Sequence, residues 1–415
     1  MRVTTAFRRL LALPGVNVTS VEFATTVVIV TVALKRRRLV CPVCDYSTRA
    51  RYDSRPVDSL WQHLDLGLWK LQVRARLRRL VCPDHGVITE GVPFARPGSK
   101  FTRDFEMLVA WLATKMDATA ITSLCGIAWR TVGRIVERVV VDDLDPGRLD
   151  GLFEIGVDEI SWRKHHNYLT VVADHETGKV VWGGEGKNAA TLDGFFDELG
   201  PDRCEQLSAI SMDMGKAFAK SDDEHAPAAT ICLDPYHVVA LATRAVDDVR
   251  RPMWQEMRRL PDPDIAKQFK GARWALLKNP ENLTDRQHAT LAAIRRNGGT
   301  MWRAYQLKEA LRAIFAGDVH PHEAGHLLDR WCSWAQRCRL APFVKLGRTI
   351  RAHRAGILAA IEHGLSNGRV EGLNNRVRLI VRRAFGFHSA QAALALVLLS
   401  CGPITIEPPR LNPHP

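Results

Sequence analysis

Two aspartates and one glutamate stand where metal-assisted phosphodiester chemistry would need them. Asp158 lies in Phe153-Glu154-Ile155-Gly156-Val157-Asp158-Glu159, and Asp213 in Ala209-Ile210-Ser211-Met212-Asp213-Met214. Each closes a short apolar run that reads as a buried strand. Glu371 is the single carboxylate of Ser366-Asn367-Gly368-Arg369-Val370-Glu371-Gly372-Leu373-Asn374-Asn375-Arg376-Val377-Arg378, a helix-like stretch of Arg, Asn and apolar residues. Two strand-end aspartates and a helix glutamate are the oxygen donors that two-metal chemistry requires. Each acid also has an ordinary reading. A strand-end aspartate commonly caps a turn, and a glutamate among bases commonly pairs with them. On a 3.6-residue period Asn367, Glu371, Asn375, Arg378 and Arg382 share one stripe. By itself Glu371 reads as a partner of Asn375 or Arg378. Together with Asp158 and Asp213 it reads as a third metal ligand, beside groups that hold a DNA backbone.

The elements that must position these acids follow from the pattern around them. Strands are expected at 153–160, 168–174 and 179–184, with a turn at His175-Glu176-Thr177-Gly178. A helix is expected over 191–199, then strands over 207–213 and 230–234. Three antiparallel strands, a helix and a further strand begin an RNase H-like layout. In that layout the first and fourth strands are neighbours, so Asp158 and Asp213 would meet. The next 100 residues break the strand pattern. They read as helical and hold Trp254, Trp274, Trp302, Trp331 and Trp334. Most tryptophans at helical spacing are core; Trp274, flanked by Arg273 and Lys278, is the residue placed to stack on an unpaired base. The fold class expected is α+β and multidomain. Zinc-ribbon-like (1–100) and helix-turn-helix (101–145) modules precede an RNase H-like catalytic domain (150–250 and 361–400). An all-helical insertion (251–360) interrupts that domain, and a tail (401–415) follows it.

The N-terminal part carries its own chemistry. Cys41-Pro42-Val43-Cys44 is followed by Cys82-Pro83-Asp84-His85. Each half sets two ligands two residues apart, which lets one tight turn offer both to a tetrahedral Zn²⁺. The gap between halves is longer than a usual ribbon, and two unrelated cysteine pairs in turns are the alternative. Such a zinc would be structural, since Cys41, Cys44, Cys82 and His85 leave no open position. Helices are expected over 104–116 and 118–124. A third begins near Trp129, after the Cys125-Gly126 turn. Short helix, glycine turn and basic helix make a helix-turn-helix pattern, although a plain helical hairpin would look similar. The last helix would enter a major groove, with Arg130, Thr131, Arg134 and Arg138 as contacts.

Charge separates the same regions. Of 415 residues with net charge +13, residues 1–140 carry 22 Lys+Arg against 11 Asp+Glu, 141–250 carry 10 against 22, and 251–415 carry 26 against 12. An acidic segment between basic ones suits a cation-binding centre with polyanion-binding arms. Lys35-Arg36-Arg37-Arg38 and Arg74-Ala75-Arg76-Leu77-Arg78-Arg79 are such arms. The longest largely apolar run, 23–34, is too short for a bilayer helix and reads as one buried strand. Nine cysteines and no apparent secretory signal point to reduced thiols.

In combination these motifs resemble the DDE transposases of bacterial insertion sequences, most closely the ISL3 family. The resemblance rests on Gly156-Val157-Asp158-Glu159-Ile160-Ser161, Ser211-Met212-Asp213-Met214 and Ser366 to Asn374. It extends to Arg383-Ala384-Phe385-Gly386-Phe387-His388, the paired cysteine knuckles, Trp129 to Arg134 and Lys278 to Leu283, and so covers nearly the whole chain. It implies that Asp158, Asp213 and Glu371 bind two Mg²⁺ (or Mn²⁺), with one Zn²⁺ in the N-terminal module. The implied partners are double-stranded DNA, as terminal inverted repeats and target, and further copies of the chain in a dimer or larger assembly. No membrane role and a bacterial cytoplasmic, nucleoid-associated location go with this. Asp234-Pro235-Tyr236-His237 resembles an Asp-x-x-His element that in this family more often reads Asp-Arg-Phe-His, and Pro235 and Tyr236 depart from it. It leaves His237 either as a contact to the scissile phosphate or as a helix-capping partner. A non-catalytic regulator, or a nuclease that cuts without joining, are the alternatives from other classes.

Overall fold

Val27–Leu34 alternates buried and half-exposed positions, with Val28, Val30 and Val32 pointing into a core. That period of two is what a strand covered on one face requires. The computed structural model describes residues 1–44, 46–163, 167–214, 218–259, 261, 271–316, 319–365, 368–384 and 386–409. The side chains of Ala219, of residues 368–371 and of Asn374 also lie outside the description. The chain divides into two units, Met1–Pro146 with Leu379–Pro415, and Gly147–Arg378.

The first unit opens with helix α1 (Val3–Leu11) and strands β1 (Val16–Phe23) and β2 (Val27–Leu34). Most of the apolar run at 23–34 is thus one strand, β2, and its start is the turn of a hairpin with β1. That turn follows Phe23, which is 61% exposed. Short strands β3 (Leu39–Val40), β4 (Ser47–Thr48) and β5 (Asp53–Ser54) come next, then β6 (Ser59–Gln62), β7 (Lys70–Ala75), β8 (Arg78–Cys82) and β9 (Gly86–Thr89). The larger sheet runs β1-β2-β7-β6; β5-β8-β9 and β3-β4 form smaller ones. Full burial of a valine such as Val30 or Val73 contributes about 1.5–3 kcal/mol, and these side chains meet Trp61, Leu71 and Phe94 in one core.

Three helices follow: α2 (Arg103–Ala113), α3 (Ala118–Cys125) and α4 (Trp129–Asp143). Local chemistry sets their ends. The Thr102 and Asp117 side chains accept N–H groups of the first turns of α2 and α3. Gly126 ends α3 at φ 65°, a left-handed conformation that glycine adopts without a Cβ clash. The stripe Val132, Ile135, Val136, Val139 and Val140 buries one face of α4.

The second unit is built on strands β10 (Glu154–Arg163), β11 (Asn167–Asp174), β12 (Val180–Glu185), β13 (Ala209–Met212) and β14 (Thr230–Leu233), in the order β12-β11-β10-β13-β14. The first three are antiparallel; β10, β13 and β14 run parallel. Helices α5 (Ala189–Leu199), α6 (Pro201–Cys204), α7 (Ala219–His225) and α8 (Pro235–Met257) come between and after them. The boundary expected between 250 and 251 falls inside α8.

Then come α9 (Arg273–Leu277), a 3₁₀ turn (Pro280–Asn282), α10 (Asp285–Asn297), α11 (Gly299–Ile314), α12 (Pro321–Arg337), α13 (Ala341–Ala352) and α14 (Arg354–Glu362). One core runs from Ile155 and Phe195 on the sheet side to Leu311, Leu328 and Phe343 in these helices, and α14 packs on β14. The helical block thus shares the sheet's core.

Helix α15 (Gly368–Arg383) crosses the division between units, and α16 (Ala390–Cys401) belongs wholly to the first. The end of the chain, expected with the catalytic core, packs against α4. Arg383 donates to the Ala113 and Thr114 carbonyls at the end of α2, at 3.2 and 3.0 Å. The His388 ring lies edge-on to Trp129 and over Gly133, where a Cβ would meet ring carbon Cε1 at 2.6 Å.

Candidate functional site

Strands β10 and β13 pair in parallel as Glu154 with Ala209, Ile155 with Ile210 and Gly156 with Ser211. Two residues beyond the last pair stand Asp158 and Asp213. Side chains alternate along both strands, so this register brings both carboxylates to one face, about 5 Å apart in the hydrogen-bonding direction. β13 stops at Met212 while β10 runs on to Arg163, where β11 supplies Val171 opposite Asp158. The two aspartates therefore stand at the edge of a gap left by the shorter strand.

Their environments differ. Asp213 is exposed, and its Oδ1 accepts the Met214 N–H at 2.6 Å. Asp158 is half-buried. Its Oδ1 accepts the Glu159 N–H at 2.8 Å, while Oδ2 is buried with no hydrogen-bond partner among the described residues. Burial pushes the Asp158 carboxyl above its ordinary pKa. The Glu159 N–H and the charges of His237 and Arg378 oppose this, and the Asp213 carboxylate adds to it. A buried, orphaned carboxylate oxygen facing a second acid is costly unless a cation completes it.

The third parallel strand ends beside them. Asp234 follows β14, is 1% exposed, and caps α8 by accepting the Tyr236 N–H at 2.8 Å. Its Oδ2 accepts Nδ1–H of His237 at 2.6 Å. That bond raises the imidazole's pKa; burial opposes it, and the carboxylates of Asp213, Asp234 and Asp158 reinforce it. His237 is thus both a partner in the cap and a cation-favouring ring facing the acidic pair. Asp234 itself was absent from the expected site, although the Asp-Pro-Tyr-His run signalled it through the cap. Glu159 was also absent: burial raises its pKa, Lys187 opposes this, and Asp158 and Asp213 add to the rise.

Glu371 lies in the first turns of α15; its side chain, like Asn367, is outside the described residues. On the same helix Asn375 and Arg378 are exposed and 3.5 Å apart, and the Arg378 charge acts on Asp158. Arg382 is exposed one turn on, in the other unit.

In the N-terminal unit, ligand atoms of Cys41, Cys44, Cys82 and His85 all lie within 4.8 Å of one another. Cys44 and Cys82 sulfurs are 3.6 Å apart, and His85 Nδ1 is 3.8 Å from Cys41 and 3.4 Å from Cys82. A tetrahedral zinc with bonds of about 2.3 Å to sulfur and 2.0–2.1 Å to nitrogen has edges of about 3.5–3.8 Å. The four residues fit that ion, and the three cysteines are free of disulfides.

On α4, Arg130 and Arg134 are exposed and Thr131 is half-buried. Arg138 is different. Its guanidinium donates to the fully buried Glu106 through Nε at 2.8 Å and Nη2 at 2.5 Å. It is spent inside the unit, so its expected role as a DNA contact is withdrawn.

Comparison with known proteins points to one family. A family profile described as transposase, of the ISL3 DDE type, matches residues 155–396. A second, the helix-turn-helix domain of transposase family ISL3, matches residues 90–140. The transposase for insertion sequence element IS1557 of Mycobacterium tuberculosis is 43% identical over 375 residues, covering 86% of this chain and 84% of that protein. The transposase for insertion sequence element IS1001 of Bordetella parapertussis is 28% identical over 284 residues, 68% of each.

Proposed function

Since the chain belongs to the ISL3 family of insertion-sequence transposases, we propose that it binds terminal inverted repeats, hydrolyses the phosphodiester bonds at the element's ends and joins the freed 3′-OH groups to target DNA. The observation that carries this reading is the pair Asp158, on β10, and Asp213, one residue past the end of the adjacent parallel strand β13, with Asp158 Oδ2 buried and without a partner among the described residues. Hard carboxylate oxygens of this kind suit Mg²⁺ or Mn²⁺. Asp158, Asp213 and Glu371 would hold two such ions, which supply charge stabilisation to the phosphoryl oxygens and lower the pKa of a nucleophilic hydroxyl. The sheet order, with first and fourth strands adjacent, supports an RNase H-like catalytic domain. The helical residues between Asp213 and Glu371 support an insertion into it.

The chain's own groups supply the rest. His237, whose protonated form the Asp234 carboxylate favours, offers Nε2–H to a phosphate oxygen when it carries its second proton. Asn375 and Arg378 hold the DNA backbone beside the acids, and Arg382 extends that stripe. Arg130, Thr131 and Arg134 read a major groove, and the zinc centre fixes the module that presents them. Each reaction is an in-line displacement: water or a 3′-OH attacks phosphorus, and the 3′ oxygen of the cut strand leaves with the proton. Two ends must be held together, which calls for at least a dimer. The described residues include no helix long and apolar enough to cross a membrane; the reaction places the protein with DNA in a bacterial cytoplasm.

The test is an assay on end-bearing DNA with Mg²⁺ that scores cleavage and joining separately, alongside a gel-shift for end binding. Asp158→Asn, Asp213→Asn and Glu371→Gln are expected to lose both reactions by at least about 100-fold while still binding ends, the loss that follows when several kcal/mol of charge stabilisation disappear. Cleavage without joining would leave a nuclease. Binding without either reaction would leave a regulator.

A further inference from the structure

An open groove of about 880 Å³ lies in the second unit, between the end of α11 and α12. We propose that it binds unpaired nucleobases of a DNA strand, with Trp334 as the stacking surface. Ile314, Ala310 and Leu327 give it an apolar floor. Trp331 is a fixed wall: it is buried, and its indole N–H donates to the Leu307 carbonyl at 2.8 Å. Trp334, one turn on, has no such anchor among its described contacts and is 36% exposed.

Arg330, Trp334 and Arg337 recur at i, i+4 and i+7 of α12, so they share one helix face, and all three are exposed and line the groove. Asp329 is the acid among the described lining residues, and both its oxygens are taken by Arg354, at 2.8 and 2.9 Å. An aromatic face between two guanidiniums over an apolar floor matches a base flanked by phosphates: the ring stacks on the base and the cations meet the backbone. Arg337 donates Nε–H to the Ser333 carbonyl at 3.1 Å, which steadies its guanidinium at the groove's edge, and a wholly apolar peptide would give neither arginine an anionic partner. Paired bases keep their faces inside the duplex, so the groove selects strands that are opened. Its volume is within the roughly 300–1,000 Å³ of small-molecule pockets. Trp274, the tryptophan singled out by its basic neighbours, is 53% exposed with Arg273 packed over its ring, at 5.0 Å from the centroid. It is not among the residues that line this groove.

This inference rests on the transposase reading, for it names the DNA state that the reaction presents. The experiment uses the full chain with a fluorescent 15-nucleotide oligo-dT and a duplex of the same length. Trp334→Ala is expected to weaken oligo-dT binding about 10-fold, Trp334→Phe to retain it, and Trp274→Ala to leave it unchanged. Arg330→Ala and Arg337→Ala should each lower the salt slope of oligo-dT binding by about 0.7. Circular dichroism melting checks that every variant is folded. Unchanged oligo-dT binding by folded Trp334→Ala overturns the proposal, as does a Trp334→Ala variant whose sole change is its sedimentation, which would make the groove a contact between copies. The two readings fail separately. Wild-type protein that cleaves ends while Trp334→Ala binds strands normally sinks the groove alone. Protein that binds strands through Trp334 yet cleaves nothing sinks the transposase chemistry alone.

Discussion

Asp222 shows how much one side chain's setting matters. It is 1% exposed on α7, neither carboxylate oxygen has a hydrogen-bond partner, and burial, helped by Asp223, pushes its pKa to about 7. An acid whose pKa is raised on folding favours the native state most below its unfolded value, near 3.9. That advantage is lost as pH rises toward 7, where the native state must ionise a buried group. Asp222→Asn should therefore remove the fall in stability between about pH 4 and 7 and unfold at higher urea than wild type at pH 8. Urea midpoints measured across that range test it, and parallel pH profiles for the two proteins would refute it. Asp234 is as deeply buried but differently placed: its two oxygens meet the Tyr236 N–H at a helix N-terminus and the His237 ring.

At the scale of elements, α2 and α4 are joined by a buried charge. Glu106, wholly buried on α2, accepts from Arg138 of α4, from Ser99 Oγ at 2.7 Å and from Arg96 at 3.2 Å, and Arg96 also reaches Asp142 and Asp143. Glu106→Ala leaves the buried Arg96 short of its central partner, a change that costs about 3–5 kcal/mol. It should lower the unfolding temperature and abolish end binding, although Glu106 touches no DNA. Retained end binding with an unchanged melting curve would contradict this. The helices themselves were legible from short-range signals: Thr102, Asp117 and Gly126 mark their ends, and the valine stripe marks the buried face of α4. The use of Arg138 was not. Its spacing on a basic helix matched a groove contact equally well, and no local pattern reveals which acid it meets 32 residues away.

For the whole molecule, the division into two units predicts separable behaviour. One core, around Val30, Val73 and Phe94, and the cysteine cluster belong to the first unit; the core around Ile155, Phe195 and Leu328 belongs to the second. Metal analysis should find one zinc per chain. Chelation should lower the first unit's melting transition, because zinc binding there is folding free energy, and leave the second transition in place. A zinc-free protein with an unmoved first transition would refute the assignment. Charge is divided likewise: the first unit carries 25 Lys+Arg against 15 Asp+Glu, while the second is nearly balanced. The basic excess of the first unit suits the end-recognition role proposed for its helices, while the second unit sets its acids beside its own proposed DNA-contacting arginines.

The sequence by itself determined the local features: the strands ending near Asp158 and Asp213, the two metal-ligand knuckles, and the three helices with their caps. These depend on neighbours within a few residues, where periodicity and turn chemistry act directly. Only the tertiary structure decided how distant segments combine. It set β2 between β1 and β7, brought Asp234 beside the acidic pair, drew Arg138 inward to Glu106, and grouped α16 with the N-terminal helices. It also joined Trp334 and two arginines into one groove. Each outcome depends on which apolar faces and buried charges find partners across long stretches of chain, and many pairings satisfy the same local pattern until the core is packed.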